Sequence, residues 1–163
     1  MSYLPAPPPR FVYRLGGWIH SLVVRLAQRL TPAPIALYEQ LTGVWMTQML
    51  YAMTRLELVE ALAAAPRSDE ELAALAGVER DTLARLLRAL VAVGLLARGR
   101  DRRYRLTRLS EPLRKDAPDS MRDITLYGGS LHSMHAWSRF ADVVRTGRDG
   151  YELAHGRSLF DYL

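Results

Sequence analysis

The chain has 163 residues, 49% of them hydrophobic, which is enough for one compact core. It contains no cysteine, so disulfides, thiol catalysis and cysteine metal sites are excluded, and a reducing cytoplasm is the expected compartment. The formal net charge is +5, yet every one of the 22 basic residues except Lys115 is arginine, a skew that a GC-rich genome produces without selection for nucleic acid, so the charge by itself identifies no partner.

Residues 1–10 read as a Pro-rich disordered tail, because Pro5 and Pro7 to Pro9 hold the backbone extended. Phe11 to Leu30 has the length of a membrane span but carries Arg14, His20, Arg25 and Arg29, which rules out a transmembrane segment. It also lacks the clean apolar run and cleavage site of a signal peptide. It reads as an amphipathic helix that rests on a partner helix or on a membrane surface, with Trp18 and Leu22 set towards a second subunit. Together with the stop Thr31-Pro32-Ala33-Pro34 it forms a segment of its own, residues 11–33.

From Ile35 the spacing predicts a helix running towards Leu62, with Tyr38, Leu41, Trp45 and Met49 on one stripe. Its middle, Gly43 to Met53, is apolar nearly all round and needs cover on every side. In a chain of this size a second copy supplies that cover, so an intertwined homodimer is expected, with Tyr38, Leu41, Trp45 and Met49 at its interface.

Pro66 to Thr107 spells out a winged helix-turn-helix. Ser68-Asp69-Glu70-Glu71 is a capping box that starts a helix at Asp69, and Leu72, Leu75 and Ala76 give its apolar face before Gly77 turns the chain. A second helix follows over Asp81 to Val93, with Leu83, Leu86, Leu87, Leu90 and Val93 on one stripe, and Gly94 ends it. Leu95 to Ala97 and Tyr104 to Thr107 read as two short strands around the polar turn 98–103.

Beyond the wing, Ser110 to Arg114 forms a short helical turn. A long helix is predicted from Asp119 to about Thr146, kinked at Gly128-Gly129, with Ile124, Tyr127, Leu131, Met134, Trp137, Ala141 and Val144 on one side. A loop follows, and Ser158 begins a further helix. Because Leu159, Phe160 and Leu163 make an unfinished apolar turn, the sequence is expected to be the front of a longer protein, with residues 151–163 leading towards a domain that lies beyond it.

Several of these segments, in this order, resemble a known family. VWMTQMLYAMTRLELVEAL, RSDEELAALAGVERDTLARLLRALVAVGLL, RYRLTRLSEPLR, SMRDITLYGGSLHSMHAWSRFADVVRTG and SLFDYL are similar to the N-terminal dimerisation domain of the plant-type O-methyltransferases, whose bacterial members decorate natural products. The resemblance covers about residues 35 to 163. It implies a mainly α winged-helix domain, residues 34–150, with extra long helices that build an intertwined dimer. Its last helices would wall the pocket for a small aromatic acceptor, which places Tyr127, Leu131, Met134, His135, Trp137 and Phe160 at that pocket. The cofactor it implies for the complete enzyme is S-adenosylmethionine, bound in a following Rossmann-like domain that also brings the family's histidine base. No catalytic or cofactor-binding residue is therefore expected in this chain. Neither Gly16-Gly17 nor Gly128-Gly129 follows a strand as a cofactor loop must.

Two other functions fit the motif. Arg80, Arg85 and Arg88, with the wing residues Arg98, Arg100, Arg102, Arg103, Arg105 and Arg108, could serve a DNA-binding regulator, although the helix is poor in the Asn, Gln, Ser and Thr that accompany base reading, so nucleic acid is not the expected partner. A free-standing subunit that pairs with an intact methyltransferase is the other. His132 and His135 share a helical face, but two imidazoles without a carboxylate or third histidine make a poor metal site, and His20 and His155 are distant in sequence. No metal is expected.

Overall fold

The computed structural model describes residues 10–162, so the Pro-rich reading of residues 1–9 lies outside the described residues. The chain forms two compact units, Met1–Val44 and Trp45–Leu163. The first holds α1 (Arg10–Leu30) and α2 (Ala33–Leu41). Thr31 ends α1 by turning its hydroxyl back on the Ala27 carbonyl at 2.9 Å, and Pro34 starts α2 where a missing amide costs nothing. α2 buries none of its side chains.

The helix predicted over Ile35 to Leu62 is three helices: α2, α3 (Gly43–Arg55) and α4 (Leu58–Ala64). At the first break the Thr42 hydroxyl donates to the Glu39 carbonyl at 3.0 Å, competing with the helical ladder. At the second, Glu57 adopts φ +57°, a left-handed conformation that no helix can continue through. Arg122 holds it there, donating from Nη2 to the Glu57 carboxylate at 2.5 Å while Nη1 lies 3.4 Å from Glu60.

The winged helix forms as the sequence spells it. In α5 (Asp69–Ala76) the Glu71 amide donates to the Ser68 hydroxyl at 3.2 Å, and the Ser68 amide donates to the Glu71 carboxylate at 2.8 Å. Gly77 closes the helix at φ +64°, where an L side chain would be strained. Leu72 and Ala73 are the buried residues of α5, whereas Leu75 is 60% exposed, so the buried face lies one residue round from the expected stripe. α6 (Arg80–Ala92) buries Leu83, Leu87 and Leu90 as expected. Its cap is Glu79, whose carboxylate accepts from the Asp81 and Thr82 amides, both at 2.7 Å. β1 (Leu96–Arg98) and β2 (Tyr104–Leu106) pair antiparallel with Leu96 opposite Leu106, Ala97 opposite Arg105 and Arg98 opposite Tyr104. The segment before α5 adds a bridge the sequence did not show, in which Arg67 and Tyr104 exchange both backbone hydrogen bonds. Met53, Leu58, Leu62, Leu72, Leu87, Leu90, Leu96 and Tyr104 meet in the core that these elements share.

After a 3-10 turn at Glu111–Leu113, the long helix predicted from Asp119 is again three: α7 (Arg122–Gly128), α8 (Leu131–Ser138) and α9 (Phe140–Thr146). The first break falls at the glycine pair, and Ser130 restarts the chain by accepting from the Ser133 amide at 3.2 Å. The second falls at Arg139. The predicted stripe points outwards: Ile124, Leu131, Trp137 and Val144 are exposed, while Ser133 and Ala136 are buried. α10 (Gly150–His155) occupies a stretch that carried no helical expectation, capped by the Asp149 carboxylate accepting from the amides of Tyr151 and Glu152. α11 (Leu159–Tyr162) follows Ser158, whose hydroxyl accepts from the Asp161 amide at 3.2 Å.

Candidate functional site

α7, α8, α9 and α10 enclose an open cleft of about 320 Å³, the size at which small-molecule pockets begin. Its floor depends on a close approach: a side chain at Gly150 would place its Cβ 3.3 Å from the Ala136 carbonyl oxygen and 3.4 Å from Val143, so the glycine lets α10 seat against α8. Tyr151, buried, lies parallel to Tyr127 at 11° with ring centroids 6.4 Å apart. Elsewhere in the lining Trp137 and Phe140 meet at 45° and 5.7 Å. Four aromatic rings with Ala136 and Val143 therefore line a slot that suits a flat, weakly polar ring.

Of the six residues expected at the pocket, Tyr127 and Trp137 line this cleft. The other four do not. Leu131 is 82% exposed at the start of α8, and Phe160 is 88% exposed on α11. Met134 is half-buried away from the lining, and His135 belongs to a neighbouring cluster. Sequence reasoning missed Phe140, Val143 and Tyr151. Tyr151 was the hardest to find, because its helix is a turn and a half long and its only signal is the Asp149 cap.

The neighbouring cluster gathers three histidines. α10 carries His155 onto both histidines of α8, with ring centroids 5.5 Å from His132 and 5.2 Å from His135. The His155 Nε2–H donates to the His132 carbonyl at 3.0 Å, and Tyr151 packs on the same ring at 5.2 Å. Distance in sequence was no guide here. Among the described residues there is still no group of three or more His, Cys, Asp or Glu that could hold a metal ion.

The winged helix pairs much of its charge within its own chain, at the surface. Arg103 forks onto the Glu71 carboxylate with both contacts at 2.9 Å and donates to the Pro66 carbonyl at 2.8 Å. Arg105 pairs with Asp101 at 2.6 Å, Arg80 with Asp69 and Glu70 at 3.2 and 2.8 Å, and Arg98 covers the Tyr104 ring at 5.4 Å. The Ser68 amide and then Arg103 hold the Glu71 carboxyl below the usual carboxylate range. Arg105, followed by the Arg103 amide, does the same for Asp101. Arginines tied to carboxylates of their own chain are less available to phosphates.

The fold and the cleft together define a winged-helix module whose motif is bound into a helical body that carries an aromatic slot. Residues 38–116 match the family of O-methyltransferase dimerisation domains. The chain is 34% identical over 132 residues to the phenazine O-methyltransferase of Lysobacter antibioticus, a match spanning 81% of this chain and 38% of that protein. It is 38% identical over 143 residues to the 3-amino-4-hydroxybenzoate 4-O-methyltransferase of Streptomyces cremeus, spanning 85% and 39%. The crystal structure of LaPhzM superposes with a TM-score of 0.76 at 34% identity, over 82% of this chain and 40% of that one. The structure of the O-methyltransferase NcsB1 from neocarzinostatin biosynthesis, which contains S-adenosylmethionine and 2-hydroxy-5-methyl naphthoic acid, superposes at 0.61 and 31% identity over 72% and 37%. The chain spans about two fifths of the length of the curated relatives it matches.

Proposed function

We propose that this chain is the dimerising and acceptor-positioning part of a cytoplasmic O-methyltransferase that uses S-adenosylmethionine and acts on an aromatic or polyketide-type natural product. The observation that carries the dimer is α3. Residues 46–52 are all only half-buried although five of them are Met, Leu, Tyr or Ala, and the preceding Val44 and Trp45 are exposed. A second copy laid along α2 and α3 would bury Leu41, Trp45 and Met49 and bring in Tyr38. Apolar area of this kind returns about 25 cal/mol per Å² when removed from water.

The acceptor role rests on the cleft. Tyr127, Trp137, Phe140 and Tyr151 would hold a planar ring by its faces, and the cleft's low polarity would keep water away from the reacting hydroxyl. S-adenosylmethionine, carried by a further domain, would supply an electrophilic methyl group for in-line transfer to the acceptor oxygen. Leu131, Met134, His135 and Phe160 would meet the acceptor only where such a domain closed over the slot.

Light scattering at micromolar concentration tests the first half of the proposal. Wild type is expected at twice the protomer mass, and Leu41→Glu with Trp45→Ala is expected to be monomeric with unchanged helical circular dichroism. A monomeric wild type refutes the dimer. For the second half, the polypeptide extended into a cofactor domain should methylate a hydroxylated bicyclic aromatic, and Tyr127→Ala should raise KM more than it lowers kcat. Tight binding of the 163-residue chain to duplex DNA at low salt would favour a regulator instead.

A further inference from the structure

We propose that α1 docks its apolar face on an anionic lipid bilayer surface. Every described side chain of α1, Arg14 through Leu30, is exposed. At about 100° per residue, Leu15, Trp18, Ile19, Leu22, Val23 and Leu26 fall in one arc of about 140°. Arg14 and Arg25 project just outside the Trp18 edge of that arc, and Arg29 projects through it. Residues 10–38 contain four arginines and no aspartate or glutamate. A helix with an apolar arc whose charged neighbours are all cationic has the pattern of one lying in the plane of a lipid interface. Its arginine stems can run along the apolar arc while the guanidinium groups reach phosphate. Trp18, on the same edge, has the amphipathic ring that settles at headgroup depth.

Charge decides between lipid and a second copy of α1. Two such helices packed face to face and antiparallel bring Arg14, Arg25 and Arg29 of both to a common seam, and neither helix has a carboxylate to neutralise them. Anionic phosphodiesters provide the missing charge. A bilayer surface also asks for no matching knobs and holes along the arc, only for apolar area and positive charge. The helix does not cross: among the described residues no helix is long and apolar enough to span a membrane. This moves Trp18 and Leu22 from the subunit seam, where the sequence placed them, to a lipid face. It stands apart from the dimer formed along α2 and α3.

The test is flotation of the full chain with vesicles of phosphatidylcholine alone and of phosphatidylcholine mixed with phosphatidylglycerol. The wild type is expected to float with the mixed vesicles at low ionic strength, to remain free with phosphatidylcholine alone, and to be released by added salt. Each Arg→Gln change is expected to lower the partition coefficient roughly fivefold, so Arg14→Gln, Arg25→Gln and Arg29→Gln together lower it about a hundredfold. Leu22→Glu is expected to abolish flotation without altering the mass measured by light scattering. Three results would overturn the proposal: no flotation with the mixed vesicles, equal flotation with both kinds, or a Leu22→Glu protein that falls from dimer to monomer, which would give the face to a second copy.

Discussion

Gly128 and Gly129 are adjacent in sequence and should respond to alanine with opposite signs. A Cβ on Gly128 meets nothing within 4 Å. The residue closes α7, so Gly128→Ala removes backbone freedom from the unfolded chain at no steric cost and should stabilise by about 0.5–1 kcal/mol. A Cβ on Gly129 would stand 2.3 Å from Cβ of Tyr51, 2.6 Å from its Cγ and 2.8 Å from its Cδ2. The first of these atoms is fixed by the backbone of α3, so a rotamer change cannot clear it and α3 must move off the α7–α8 junction. Overpacking of that kind costs about 1–3 kcal/mol. The shift also endangers the bond from Gln48 Nε2 to the Gly129 carbonyl at 3.1 Å, worth about 1 kcal/mol. With the same entropic gain set against these losses, Gly129→Ala should destabilise by about 1–3 kcal/mol. Urea denaturation at one fixed protein concentration measures both, since association makes the midpoint concentration-dependent. The slopes should match wild type, and the midpoints should move in opposite directions. If both variants shift the same way, the packing of Tyr51 on Gly129 is wrong.

Three further outcomes follow from local geometry. Ser68→Ala removes one half of the capping box and should destabilise by about 1 kcal/mol in the same titration, whereas Ser68→Asp should retain most of the wild-type midpoint. Arg102 sits at φ +58° in the turn between β1 and β2, so Arg102→Gly should stabilise the protein by about 1 kcal/mol; a loss would mean that its side chain contributes more than its backbone strain costs. The carboxyls of Glu71, Glu79 and Asp101 all have lowered pKa values in the folded chain. The stability they contribute is full above the unfolded values of about 4 and is lost as pH falls through the lower folded ones, so thermal midpoints should decline below that range, and Glu71→Gln should make the decline shallower.

The winged helix was readable because its signals are local. Ser68, Glu71, Gly77 and Gly94 each act within one turn, and the strand pair needs only a short polar turn between apolar residues. Helix continuity was not readable, because its determinants are tertiary. Glu57 stops the helix, and the groups that pair with its carboxylate, Lys115 and Arg122, come dozens of residues later. Burial raises the pKa of that carboxyl, while Arg122 and Lys115 outweigh burial and bring it below the ordinary range. The orientation of α7 to α9 was misread for the same reason. A stripe drawn along one continuous helix loses meaning once the breaks at Gly129 and Arg139 turn the face, so Tyr127 and Trp137 of that stripe line the slot while Leu131 does not. His155 shows the converse case, in which α10 brings a ring that looked remote into a cluster that looked like a pair.

The reciprocal backbone bonds between Arg67 and Tyr104 make α5, α6 and the hairpin into a closed circuit. The strand pair alone could fray from its turn inwards, but the Tyr104 amide, donating to the Arg67 carbonyl at 2.7 Å, is released only when the stretch before α5 parts from the wing. Leu72, Leu87 and Leu96 lie under that seam, so parting it floods the leucine core as well. The exchange rate of that one amide proton should therefore report cooperative opening of the whole motif, and the neighbouring turn residues should exchange by fraying many times faster.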